Sequence, residues 1–407
     1  MAGESPRPAK RSLALGTTHG PEGGKFVQVA KDLNHATMGA HLERTNLARM
    51  KTVMTRRQMI GTLASTVAVL AARPRVFCAE SARGTRLGVC GYSYNLHWKA
   101  IRDGQTDLPF RDALSFLDYC GRLGAGGVQA ELGFQEPGYA AKVRAKAEGN
   151  GMYFEGQTSL PKDQSDLSRF ETALRACKEA GAEVVRTVAM GGRRYETFDS
   201  MEAFQQFTKR AWDSFTMVEP LLKKHKIHLA IENHKDWRAE ELVDVLKRLS
   251  SEWVGTCVDF GNNLALLEEP MAVVEALAPF ALSSHLKDMA VQEYEEGFLL
   301  SEVPLGEGFL NLKRIIAVLR KARPNIQFSL EMITRDPLKV PCLTSKYFAS
   351  LATVPARDLA VVLSRVRTSA SKQPLPHITG LSASEQLALE DALVRRSLTY
   401  ARRELSL

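Results

Sequence analysis

HLAIENH (228–234), VGTCVDFGN (254–262), ALSSHLKD (281–288) and IQFSLEM (326–332) decide the fold of this 407-residue chain. Each is a short apolar run bounded by polar residues, the pattern of a strand buried on both faces. Each carries a residue of a type that binds metals: Glu232, Asp259, His285 and Glu331. The spacings between them are 27, 26 and 46 residues, one strand-plus-helix unit apiece with extra loop in the last. In a barrel of alternating parallel strands and helices, the C-terminal ends of all strands open into one mouth. Three carboxylates and one imidazole meeting there make a site for one divalent metal. Oxygen-rich ligation with a single nitrogen suits Mn²⁺, Mg²⁺ or Co²⁺ and tolerates Zn²⁺.

The same alternation extends upstream. RLGVCGYSY (86–94), GVQAEL (127–132), MYFEGQ (152–157) and AEVVRTVAM (182–190) read as four earlier strands, the second closing on Glu131 and the third carrying Glu155. Helical periodicity fills the intervals, and residues 95–98 and 288–310 read as loops, the second containing PLGEG. Eight strand–helix units within about 250 residues are the count of an α/β (β/α)₈ TIM barrel. A doubly wound sheet would need a Gly-rich phosphate fingerprint after its first strand, and GVCGYSYN does not supply one. Barrel sequence is expected over 83–335. The remaining 336–407 form a helical C-terminal extension, whose last helix starts on a capping box of Ser382 and Glu385. These helices are expected to pack on the barrel flank or to form a subunit contact in a homo-oligomer.

Charge separates the leader from the body. Residues 1–79 contain 12 Lys+Arg against 4 Asp+Glu, which accounts for the whole net charge of +8. A neutral body has no overall attraction to phosphate backbones, so a nucleic-acid partner is not expected. Residues 1–53 lack a sustained apolar period and read as a disordered or over-long start. Residues 54–82 contain TRRQMIGTLASTVAVLAA, with Arg56 and Arg57 before a mildly apolar run. That run is too short to span a bilayer comfortably and has the form of a twin-arginine export signal, implying a bacterial exported or periplasmic protein with no stable membrane span once mature. The six cysteines, without a CxxC pair, read as buried small hydrophobes.

IENH, VDFGN, HLKD and the final LE, with PLGEG before the last, together resemble the sugar-phosphate isomerase/epimerase superfamily, the xylose isomerase-like TIM barrel group. The resemblance covers about residues 86–331. The leader and the C-terminal RDPLKVPC and LTYAR segments look like exported members of that group. The family's metal ligands carry over onto Glu232, Asp259, His285 and Glu331. The endonuclease branch of the family fits poorly, because its three-zinc site needs several further histidines on the early strands.

The resemblance implies a metal-dependent isomerase or epimerase that moves a proton next to the carbonyl of an unphosphorylated sugar, keto-sugar or cyclitol. In that chemistry Glu232 and Glu331 resemble the paired acid/base carboxylates. The alternatives are a lyase or dehydratase expelling a β-leaving group from the same enediolate, and a carbohydrate-binding barrel without turnover. Substrate contacts are expected from His234 (two residues past Glu232), Asn262, Lys287 as an oxyanion holder, Glu155, His97 and Glu307. Of these, Glu307 lies in a loop long enough to be a lid. Arg193 and Arg194 in GGRRYE read more readily as an exposed loop pair than as a phosphate clamp.

Overall fold

The computed structural model describes residues 84–133 and 136–407. The expectations on the leader, from the extension at 1–53 through the twin-arginine-type segment to Cys78, lie outside the described residues. Eleven strands are present among them: β1 (Gly88–Cys90), β2 (Gly127–Ala130), β3 (Tyr153–Gln157), β4 (Val184–Thr187), β5 (His228–Glu232), β6 (Val254–Asp259), β7 (Ala281–Leu286), β8 (Asp288–Tyr294), β9 (Gly297–Val303), β10 (Gln327–Leu330) and β11 (Leu338–Val340). Strands β1 to β7 and β10 pair in parallel around a closed eight-stranded barrel, with β10 between β7 and β1. The expected eight barrel strands are therefore all present, in the expected order.

Period-two alternation builds the barrel wall. Val89, Val128, Phe154, Val185, Leu229, Ile231, Val258, Phe328 and Leu330 share one core with the surrounding helices. The intervening residues face the interior. At the N-terminal end of the barrel, the Tyr153 hydroxyl donates to Phe328 O at 2.7 Å and lies 2.9 Å from Ser329 Oγ, so the ring crosses from β3 to β10. Glycines make its room. A Cβ on Gly127 would meet Tyr153 Cδ1 at 2.4 Å, and one on Gly88 would meet the hydroxyl at 2.2 Å. Gly127→Ala is therefore expected to cost about 1–3 kcal/mol through overpacking, read as a lower urea midpoint at unchanged slope. A variant as stable as the parent would show that the ring has room to move.

Two segments expected as loops are regular. Residues after the first strand form the helix Asn95–Arg102. Its N-terminal N–H groups are satisfied from a distance: Glu390 accepts from Leu96 N at 2.8 Å and from His97 N at 3.1 Å. Helix starts need such acceptors, and a cap supplied by another helix leaves no local signature. The stretch after β7 is a hairpin, β8 against β9, with β11 added along β9 to give a three-stranded antiparallel sheet. Met289, Val291, Phe298 and Leu300 of the hairpin pack with Val362 and Val366 of the helix Ala356–Thr368 in a second apolar cluster. The period-two signal of that hairpin is present in the sequence but is interrupted by its acidic turn.

The C-terminal segment packs on the barrel flank, one of its two expected placements. The helix Ala383–Glu404 buries Leu393, Val394, Leu398 and Ala401 in the main core. It lies against the helix Asn95–Arg102 and, through Lys313 and Glu404 at 3.6 Å, beside the helix Leu312–Ala322. It thus fills the flank that the helix following the last barrel strand normally fills. The five cysteines among the described residues are buried and unpaired, as the composition suggested. No helix among these residues is long and apolar enough to cross a membrane.

Candidate metal centre

The inward face of the barrel turns polar toward its C-terminal end. Glu232 ends β5, Asp259 ends β6, His285 lies one residue before the end of β7, and Glu331 follows β10. All four are buried, and one ligand-type atom from each lies within 4.8 Å of the others. Strand pairing aligns them, since Asp259 is in register with His285, and His285 with Ser329 two residues before Glu331. Asn233 locks the ends of β5 and β6 by exchanging two bonds with the Asp259 backbone: Nδ2 donates to its O at 2.6 Å, and Oδ1 accepts from its N at 2.8 Å.

His285 reports how this site is poised. Its Nε2 lies 2.8 Å from Gln129 Oε1, an acceptor, so Nε2 donates there and Nδ1 is the nitrogen turned toward the carboxylates. Burial opposes a charge on the ring, yet Cys257, Glu331 and Glu232 hold its pKa well above the ordinary value, so an ion would take the place of a proton on Nδ1. Gln129 is held in turn by Glu155, which accepts from its Nε2 at 3.1 Å and from Ser283 Oγ at 2.6 Å. Nδ1 of His285 makes no hydrogen bond and faces Glu232 Oε2 at 3.5 Å, Asp259 Oδ2 at 3.6 Å and Glu331 Oε1 at 3.4 Å. Ligand bonds of about 2.0–2.2 Å put neighbouring donor atoms about 3–3.5 Å apart around one ion. The orphaned nitrogen, its carboxylate surroundings and these separations all fit a divalent cation.

Protein cations also crowd the carboxylates. Arg186, inward-facing on β4, donates to Glu232 Oε2 through Nε at 2.6 Å and through Nη2. Lys287 Nζ lies 2.6 Å from Asp259 Oδ2 and donates to Glu331 Oε2. Burial opposes ionisation of Glu331, yet Lys287 and His285 hold its carboxyl well below the usual range. Burial pushes Glu155 up to about 7, partly offset by Ser283 and His285.

The expected substrate residues divide by location. His234 lines a cavity of about 240 Å³ with Tyr92, Asn95, Arg186, Glu331 and Arg335. Its Nδ1 is buried without a partner. Burial, then Lys235 and Arg186, keep this imidazole well below its ordinary value, hence neutral. Asn262 is buried behind the ligands, donating to Glu232 Oε1 at 3.0 Å and accepting from Lys235. Lys287 and Glu155 lie inside the barrel with the ligand cluster. The other two lie apart from it. His97 Nδ1 is 2.7 Å from Glu390, within an aromatic group including Tyr94 and Phe110. Glu307 is at the surface, paired with Arg396 of the last helix at 2.5 Å. Its loop is pinned by Asp288, which accepts from Gly306 N at 2.9 Å and Gly308 N at 3.0 Å. Arg194 is buried rather than exposed, donating to Ser350 O and Glu241, whereas Arg193 pairs with Glu196. On β2 the inward residue is Gln129, and Glu131 is exposed.

Arg186, Gln129, Asn233 and Lys235 are the site residues that sequence reading passed over. Counting inward positions by twos along β2 and β4 would have selected Gln129 and Arg186.

A model of the xylose isomerase-like TIM barrel family matches residues 117–346, over half of the chain. A 3-oxo-isoapionate decarboxylase of Pectobacterium atrosepticum is 27% identical over 246 residues, covering 59% of this chain and 83% of that protein. Among solved structures, a D-psicose 3-epimerase superposes with a TM-score of 0.51 at 15% identity, covering 79% of this chain and 99% of the other. A xylose isomerase-like TIM barrel protein from Mycobacterium smegmatis, in complex with magnesium, superposes with a TM-score of 0.46 at 16% identity over 69% of this chain and 98% of the other.

Proposed function

We infer the reaction class from one premise: the chain belongs to the xylose isomerase-like TIM barrel family. The proposed activity is that of a divalent-metal-dependent enzyme acting on a sugar or keto-sugar by proton transfer next to a carbonyl, an isomerisation or epimerisation. The observation that supports it most is Nδ1 of His285, without a hydrogen-bond partner and facing oxygens of Glu232, Asp259 and Glu331 at 3.4–3.6 Å. A divalent ion held by these four groups supplies positive charge where a substrate carbonyl develops negative charge. The chain's own residues then position and move protons. Glu331 and His234 both line the mouth cavity, the first as a carboxylate and the second as a neutral imidazole. They are the groups placed to take up and return a proton. Glu232 is absent from the cavity lining, and Arg186 engages its Oε2. Arg186, Arg335, Tyr92 and Asn95 offer the donors that orient sugar hydroxyls.

A second reading is favoured by the ion pairs. Lys287 sits on Glu331 and, with His285, holds its carboxyl below the usual range against burial, so Glu331 is a weak base; Arg186 occupies Oε2 of Glu232. Loss of CO₂ from a 3-oxo acid asks less of these carboxylates: the C–C bond breaks with its electron pair left in an enolate that needs only a returned proton, whereas expulsion of a β-hydroxyl still needs the α-proton removed and the departing hydroxyl protonated. The decarboxylase relative points the same way.

Turnover in deuterated buffer separates the readings. Manganese-loaded protein is expected to place solvent deuterium next to the carbonyl of a recovered keto-sugar with its carbon skeleton intact. Release of water or CO₂ would make it a lyase. Carbohydrate binding without either result would leave a binding barrel and refute both enzymatic readings.

A further inference from the structure

We propose, resting on the reading of Glu232, Asp259, His285 and Glu331 as metal ligands, that Lys287 is a resident cation of the centre: its ammonium occupies Asp259 and Glu331 in the metal-free protein and competes with the incoming ion for Asp259. The oxygen inventory forces the competition. Asp259 Oδ1 is committed to the loop, accepting from Gly261 N at 3.1 Å and Asn262 N at 3.2 Å. Only Oδ2 remains to face an ion, and this is the oxygen 3.6 Å from His285 Nδ1. Lys287 Nζ already lies 2.6 Å from it. Glu331 divides its oxygens differently, with Oε1 toward His285 at 3.4 Å and Oε2 accepting from Lys287. An ammonium and a dication on the same carboxylate oxygen would stand within about 4–5 Å of each other in a site shielded from water, where like charges repel strongly.

The lysine occupies a built place. Its side chain is 1% exposed. The stem lies against Gly261, where a Cβ would come within 2.7 Å of Lys287 Cδ and 2.9 Å of Met289 Sδ. A side chain at 261 would therefore push the stem out of position. Without a metal, the ammonium keeps the clustered carboxylates from standing uncompensated. With a metal present it opposes loading, so Lys287 sets how tightly the site takes its ion.

The test is titration of the chelator-stripped full chain with Mn²⁺ by calorimetry, alongside thermal unfolding in chelator and in Mn²⁺. Lys287→Met and Lys287→Gln are expected to bind Mn²⁺ about tenfold more tightly or better, to melt lower than the parent in chelator, and to gain more from Mn²⁺. Lys287→Arg keeps the charge and should gain no affinity. A purely structural lysine would lower the melting temperature without tightening the metal. If both neutral variants fold only when Mn²⁺ is supplied, the metal replaces the ammonium, and the proposal is supported. Unchanged affinity in the neutral variants, or misfolding that Mn²⁺ does not reverse, overturns the proposal while leaving the ligand reading intact. Absence of Mn²⁺ binding by the parent and by every variant overturns the ligand reading, and the proposal with it.

Discussion

Asp259→Asn is expected to lower Mn²⁺ affinity about a hundredfold, about 2.7 kcal/mol, while the chain keeps its fold. The two oxygens of Asp259 do different work, which makes the substitution selective. Oδ1 accepts the N–H groups of Gly261 and Asn262 and shapes the loop after β6. An asparagine carbonyl can hold both bonds. Its amide nitrogen then replaces Oδ2, the atom facing His285 Nδ1. An amide N–H₂ has no lone pair to give a metal. It also stands beside the Lys287 ammonium, donor against donor. The loss therefore falls on the metal and not on the backbone. Calorimetric titration together with far-ultraviolet circular dichroism checks both halves. Affinity equal to the parent's would remove Asp259 from the ligand set, and a lost helical signal would show that it is chiefly a structural residue.

Arg186→Met should have the largest effect on stability. Arg186 and Glu232 are both buried, and the pair is held by two guanidinium nitrogens on one carboxylate oxygen. Removing the cation leaves a carboxylate inside the barrel whose other oxygen is engaged by Asn262 at 3.0 Å. Breaking a buried ion pair from one side costs about 3–5 kcal/mol, because the remaining charge loses its paired cation without gaining water. Urea unfolding in chelator measures this directly. Arg186→Met combined with Glu232→Met should recover much of the loss, since no charge is then stranded. If the single variant loses less than about 1 kcal/mol, the pair is solvated in solution.

The strand order was legible because each inward-facing strand is short, apolar and bounded by turn residues. The four ligand types stand at strand ends, which a reader can locate without knowing any contact. His285 and Asp259 therefore came together as spacing suggested. The loop readings at 95–98 and 288–310 failed for different reasons. The helix Asn95–Arg102 owes its start to Glu390, 294 residues from Leu96. The β8–β9 hairpin has a readable alternation, but its outer strand is completed by β11, which lies beyond the next barrel strand.

The sequence by itself determined the parallel eight-stranded barrel and the convergence of Glu232, Asp259, His285 and Glu331 at its mouth. Both follow from local periodicity: side chains alternate every two residues in a strand, and parallel strands share one C-terminal end. The tertiary structure alone decided which groups face those four. Arg186 reaches Glu232 across 46 residues, Lys287 reaches Glu331 across 44, and Gln129 holds Nε2 of His285 from 156 residues away. Such pairs form only when the barrel closes and brings distant strands into register. A buried charge then takes as partner whatever the opposite wall presents, because leaving it unpaired costs more than any local preference can offset.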